Sequence, residues 1–150
     1  MFFYGSEAFN DFILRLQFRL VGPIGSSGKS LDNSGVFVRF HYPHQKGPDL
    51  PTNTNPALAA NVASDAAWIA GYTGFEIQID ENAAPDGADK HRTAAIYNVP
   101  TGPGGLQSYK PGPVLQLRQW HDMEITLRGN RYSVMLNGIQ TTDFVNPLTK

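Results

Sequence analysis

The sequence predicts an all-β fold, and three observations carry that reading. Fifteen Gly and 11 Pro punctuate a chain of 150 residues. No stretch of about ten residues holds a clean 3.6-residue apolar period, whereas strict apolar/polar alternation recurs several times. Short alternating segments joined by long crossing loops suit a two-sheet jelly-roll sandwich better than a regular meander. About eight strands are expected from this spacing.

The first strand is Phe12 to Leu20, where Phe12, Leu14, Leu16, Phe18 and Leu20 oppose Arg15, Gln17 and Arg19. Residues 22–33 are rich in Gly, Ser and Pro and read as a loop. They deliver a second strand, Gly35 to His41, in which Arg39 and His41 share one face. Residues 42–66 are dominated by Pro, Asn, Gly and Ala, which is long for a connection and reads as a functional flap, with a short helix over Pro56 to Ala67. The third strand is Phe75-Glu76-Ile77-Gln78-Ile79-Asp80. A polar loop follows from Glu81 to Arg92, then a short strand from Thr93 to Tyr97 and a Gly/Pro-rich loop from Pro100 to Pro113. Trp120 to Arg128 alternates, Gly129-Asn130 turns the chain, and Tyr132 to Leu136 returns antiparallel. Asn137-Gly138 signals a type I′ hairpin into Ile139 to Phe144.

Length predicts a single domain over residues 1–150. Twelve basic against 13 acidic residues leave a net charge of -1, and no Lys/Arg cluster exceeds a pair, so nucleic acid is discounted as a partner. The absence of Cys removes disulfides, thiolate zinc sites and cysteine nucleophiles, without fixing a compartment. No run approaches a membrane span, and Met1-Phe2-Phe3-Tyr4 lacks the basic region and apolar core of a signal peptide. There is no phosphate-cradling glycine motif, no Gly-x-Ser-x-Gly elbow and no His-Glu-x-x-His.

Extended backbone places Phe75, Ile77 and Ile79 on a core face and Glu76, Gln78 and Asp80 on the other. Two carboxylates flanking a carboxamide form an acceptor-rich row suited to a sugar ring or a cation. Glu76 and Asp80 have Cα atoms roughly 13 Å apart at ~3.3 Å per residue. A glycosidase pair needs carboxyl groups about 5 to 9 Å apart, so the spacing fits poorly without a bulge. The competing reading is a solvated face with incidental acids. Arg39 and His41 would converge on this row if their strand lies beside it, although an Arg–Glu pair on a sheet is more often a structural salt bridge. His41 and His44 are three apart, a weak metal signal with no accompanying ligand cluster. Asp86, Asp89, His91 and Arg92 read as solvated loop charges. Tyr72, Tyr97, Tyr109 and Trp120 are candidate stacking platforms for a pyranose, with core burial the favoured account of Trp120.

In order, Asp11-Phe12-Ile13-Leu14 with Phe18-Arg19, Asn33-Ser34-Gly35-Val36-Phe37-Val38-Arg39, Gly74 to Asp80, Ala95-Ile96-Tyr97, Trp120-His121 and Leu136-Asn137-Gly138 together resemble the 3-keto-disaccharide hydrolase family. The resemblance spans nearly the whole chain and implies a concanavalin A-like, laminin G-like jelly roll, common in bacterial glycan utilisation and exported to the periplasm or outside. Members usually carry a further opening segment and a closing strand, so a domain incomplete at both ends is expected. The implied activity is cleavage of 3-keto-glycosides. On this reading Glu76 or His41 is the base, Asp80 the acid or a ligand for a divalent cation, and Arg39 the partner of developing charge. Gln78, Asn33, Tyr97 and Trp120 bind substrate; no metal ligand set is assigned and no other cofactor is implied. The rival from another class is a non-catalytic carbohydrate-binding module on the same fold, and a third is a structural jelly-roll partner domain.

Overall fold

The structure, a computed structural model, describes residues 7–40 and 68–147. Its elements in chain order are strand β1 (Phe12–Arg19), strand β2 (Asn33–Val38), helix α1 (Trp68–Thr73), strand β3 (Phe75–Asp80), a 3-10 turn (Asp89–His91), and strands β4 (Gln107–Tyr109), β5 (Trp120–Arg128), β6 (Arg131–Leu136) and β7 (Ile139–Val145). They build the two antiparallel sheets of a jelly-roll sandwich: a five-stranded sheet of order β1-β5-β6-β7-β4 and a two-stranded sheet of β2 and β3. The predicted flap at 42–66, with its helix over Pro56 to Ala67, lies outside the described residues; α1 follows it.

The chain divides into two compact units, Met1–Ala8 with Phe37–Glu76 and Phe9–Val36 with Ile77–Lys150, and both β2 and β3 run from one into the other. In the larger unit, β1 pairs with β5 in register from Phe12↔Leu127 to Arg19↔Trp120. That register sets Met123, Ile125 and Leu127 inward, where they join Tyr132, Val134, Leu136 and Phe144, all at most 3% exposed. Each such side chain contributes roughly 1.5–3 kcal/mol by leaving water. The Tyr132 and Phe144 rings pack 5.3 Å apart. On the outer face Arg15 pairs with Glu124 and Gln17 with Asp122 across the same ladder, and Arg131 holds Asp143 from β6 to β7.

The β6–β7 hairpin turns on Asn137 (φ 49°) and Gly138 (φ 79°), the two left-handed residues a type I′ turn requires. The Asn137 carboxamide also accepts the Asp122 N–H and meets His121 Nδ1, tying the turn to the start of β5. In the smaller unit, α1 ends where Thr73 Oγ1 donates to the Ile69 carbonyl and Gly74 N–H to that of Ala70. A Cβ at Gly74 would lie 2.6 Å from the Val38 carbonyl oxygen, so only glycine fits at the entry to β3.

Three expectations need correction. Thr93 to Tyr97 is not a strand: it meets β3 in a single bridge, Ile77↔Ile96, between left-handed residues at Ala94 (φ 69°) and Asn98 (φ 60°). The loop from Pro100 to Pro113 contains β4, which pairs with β7. Seven strands occur among the described residues. Trp120 is 61% exposed rather than buried, because alternation inward at Met123, Ile125 and Leu127 turns it to the outer face.

Candidate functional site

Strand β3 was expected to have one core face and one open face. Instead Ile77, Gln78, Ile79 and Asp80 are all buried, and Glu76 is half-buried. Residues 93–96 cover the strand: Gln78 exchanges backbone hydrogen bonds with Ala94 and Ala95, and Thr93 N–H donates to the Asp80 carbonyl. The acceptor row is therefore divided by environment.

In the smaller unit, burial raises the Glu76 carboxyl above the ordinary glutamate range, since a partly desolvated carboxylate is harder to form. Arg39, just past the end of β2, is half-buried and adopts φ 58°, a left-handed backbone uncommon outside glycine and found disproportionately at functional positions. His41 and His44 lie outside the described residues, as does the side chain of Tyr72.

In the larger unit, the Asp80 carboxylate is fully engaged. It accepts the N–H groups of Asn82, Ala83 and Ala84 and the Asn33 amide. This nest of donors folds the chain after β3 and leaves Asp80 little capacity to act as an acid or a cation ligand. Asn33 is correspondingly committed to Asp80. Gln78 is 2% exposed and its Oε1 accepts the Ile79 N–H. Tyr97 sits at the surface, its ring 4.9 Å from that of His91. Trp120 carries the Arg19 guanidinium 5.1 Å from its ring centre.

The loop charges are wired, not merely solvated. His91, 4% exposed, meets Asp86 at 2.8 Å. Arg92 donates to the Asp89 carboxylate and to the Glu81 and Gly87 carbonyls. The Asp86 carboxyl is held below its usual range, first by the Ala88 N–H and then by His91. Together with residues 109–117 this loop borders a cleft of about 330 Å³ that the sequence did not announce. Asp32 is not among the residues the sequence singles out: its carboxyl is held below the usual range first by the Gly22 N–H, then by the Ser30 hydroxyl and the Val21 N–H, all of which donate to it. Ser-x-Asp within a Gly/Pro-rich loop is a side-chain turn signal that could have revealed it. Among the described residues no group of three or more His, Asp or Glu side chains is arranged to hold a metal ion.

Comparison with known proteins bears on what this arrangement does. The family model of the 3-keto-alpha-glucoside-1,2-lyase-like domain matches residues 1–150. A crystal structure from Parabacteroides distasonis, provisionally described as a glycosyl hydrolase, shares the fold with a TM-score of 0.57 at 14% identity over 95% of this chain and 54% of that one. A second such structure from the same organism has a TM-score of 0.48 at 20% identity, over 90% of this chain and 56% of that one. The chain thus spans about half the length of these structures. No curated protein matches.

Proposed function

Because the chain belongs to the family of 3-keto-alpha-glucoside-1,2-lyase-like domains, we propose that it cleaves 3-keto-glycosides by elimination followed by hydration. A ketone at C3 acidifies the C2–H. A base takes that proton, the electron pair passes through the enolate to form the C1–C2 double bond, and the C1–O bond breaks as the leaving oxygen gains a proton. Water then adds across the double bond at C1 and C2, giving the free 3-keto sugar.

The observation that carries this reading is Glu76, a half-buried carboxyl whose pKa is raised by desolvation. A base of raised pKa is better matched to a weakly acidic C–H at neutral pH. Glu76 is assigned as the base, Arg39 as the group that stabilises the enolate, and His41 as a proton carrier. Within the larger unit, the surface rings of Tyr97 and Trp120 remain the candidates for sugar stacking. The Asp80 carboxylate serves here by folding the chain after β3. Among the described residues no helix is long and apolar enough to cross a membrane; export beyond the cytoplasmic membrane belongs to this proposal.

The test is release of glucose from 3-keto-trehalose, run in D2O beside unoxidised trehalose and with chelator. Elimination and rehydration predict deuterium at C2 of the 3-keto product, none of which direct hydrolysis would introduce. Glu76→Gln should lower turnover at least ~100-fold. Inertness on oxidised substrates, or full activity in that variant, would overturn the assignment.

A further inference from the structure

We propose that the cleft bordered by residues 81–93 and 109–117 is a second saccharide-binding site, built to hold one pyranose ring. All of its lining belongs to the larger unit. Its volume of about 330 Å³ lies at the lower end of ligand pockets and suits a mono- or disaccharide.

The two lips differ in chemistry, and each is fixed before any ligand arrives. One lip is the Pro111–Leu117 segment. It is pinned at its start by Lys110 N–H to the Thr141 carbonyl, at its far end by Arg118 N–H to the Leu20 carbonyl, and between them by buried Leu115. A Cβ at Gly112 would come within 2.7 Å of Leu136 Cδ2 and 3.1 Å of Thr141 Cγ2, so glycine lets this segment lie directly on the sheet. Held this way, Val114 is 81% exposed and Leu117 38% exposed, an apolar ledge on a rigid support. The opposite lip is braced by Arg92, whose three hydrogen bonds fix the backbone at Glu81 and Gly87 and the Asp89 side chain.

Bracing leaves charge available. Among the described residues no hydrogen bond or ion pair engages the Glu81 carboxylate or the Lys29 ammonium, and both line the cleft. Asp89 uses one oxygen on Arg92. A purely apolar ligand would strip water from these charges without compensation. An anion meets two carboxylates, and a cation meets Lys29 and Arg92. A pyranose answers both lips: its C–H face packs on Val114 and Leu117, while its hydroxyls donate to Glu81 and Asp89 and accept from Lys29. The choice of a saccharide among hydroxyl-rich amphipathic ligands also rests on the cleavage reading above.

The experiment is a titration of the ¹⁵N-labelled full chain with methyl α-D-glucopyranoside and with trehalose, followed by ¹H–¹⁵N chemical shifts, alongside turnover of 3-keto-trehalose. The expected result is saturable shifts at Lys29, Glu81, Gly112 and residues 114–117. Val114→Asp and Glu81→Gln should each weaken the affinity at least ~5-fold, the equivalent of losing about one good contact. Val114 is exposed and Glu81 half-buried, and unchanged spectra elsewhere verify folding. Absent shifts at these residues, or shifts that persist unaltered in both variants, would overturn the proposal. Turnover without cleft shifts overturns the second site and spares the cleavage reading; cleft shifts without turnover do the reverse.

Discussion

The Gln107 side chain completes both backbone hydrogen bonds of Ile96: Oε1 accepts the Ile96 N–H at 3.0 Å, and Nε2 donates to the Ile96 carbonyl at 2.7 Å. A second donation reaches the Val99 carbonyl at 2.7 Å. One carboxamide thus replaces the strand neighbour that Ile96 lacks after its single bridge to Ile77. Both residues are buried, so water cannot substitute. Gln107→Ala should therefore strand the Ile96 N–H, leave the Ile96 carbonyl with only the longer Val99 N–H bond, and free the half-buried Val99 carbonyl, at a cost of about 2 kcal/mol, read as a lower urea midpoint at unchanged slope. A loss below ~1 kcal/mol would mean that solvent reaches these groups.

Asp80 makes a related argument with charge. Its carboxylate accepts from Asn33, Asn82, Ala83 and Ala84, an acceptor-only demand that a carboxamide cannot meet, because its NH2 would face other donors. Asp80→Asn should cost about 2 kcal/mol and speed amide exchange at Asn82 to Ala84 before it affects β5 to β7. Uniform destabilisation with no local change in exchange would count against a folding role for this carboxylate.

The strands legible in the sequence were those whose two faces differ. β5 and the Asn137-Gly138 hairpin were read to within a residue or two, since Met123, Ile125 and Leu127 alternate with polar neighbours and only a type I′ turn wants Asn-Gly there. β4 was hidden because Gln-Ser-Tyr is three residues long and sits among Gly and Pro. Trp120 stands at the start of a strong strand, which suggests burial, but its phase is opposite to that of Met123, Ile125 and Leu127. The candidate site was legible in residue type at Glu76 but not in environment. Alternation on β3 suggested an open face, whereas tertiary cover by residues 93–96 buries Gln78 and Asp80. Wiring of the 81–92 loop depends on contacts that no local pattern announces.

Trp120 and Arg19 are directly paired in the β1–β5 ladder, with the guanidinium 5.1 Å from the indole centre. Exposed cation–π pairs contribute about 0.5–1 kcal/mol. Trp120→Ala should lower stability by no more than ~1 kcal/mol, since little apolar area is lost from the core. If the ring is a sugar platform, the same variant raises KM for a 3-keto-disaccharide several-fold with kcat nearly unchanged. Steady-state kinetics beside a thermal melt separates the two effects; an unaltered KM would remove Trp120 from the substrate site.

Glu76 should leave its signature on the pH dependence of stability. Its pKa is raised in the folded protein by burial. Below the ordinary glutamate pKa both states hold the proton, and Glu76 imposes no ionisation cost. As pH rises past that value, the unfolded chain releases its proton first, so folding becomes less favourable until the folded carboxyl ionises too. The penalty is then constant up to neutral pH. Glu76→Gln removes the titration while keeping shape, so the difference in melting temperature between variant and parent should shift in favour of the variant across this window. Contributions of opposite sign from Asp32, Asp86 and Asp143, whose pKa values are lowered, cancel in that difference. Melts from about pH 3 to pH 8 supply the measurement, a window set by the ordinary glutamate pKa. Parallel curves for the two proteins would show that the Glu76 carboxyl is as well solvated folded as unfolded, and would remove the raised pKa on which its role as base depends.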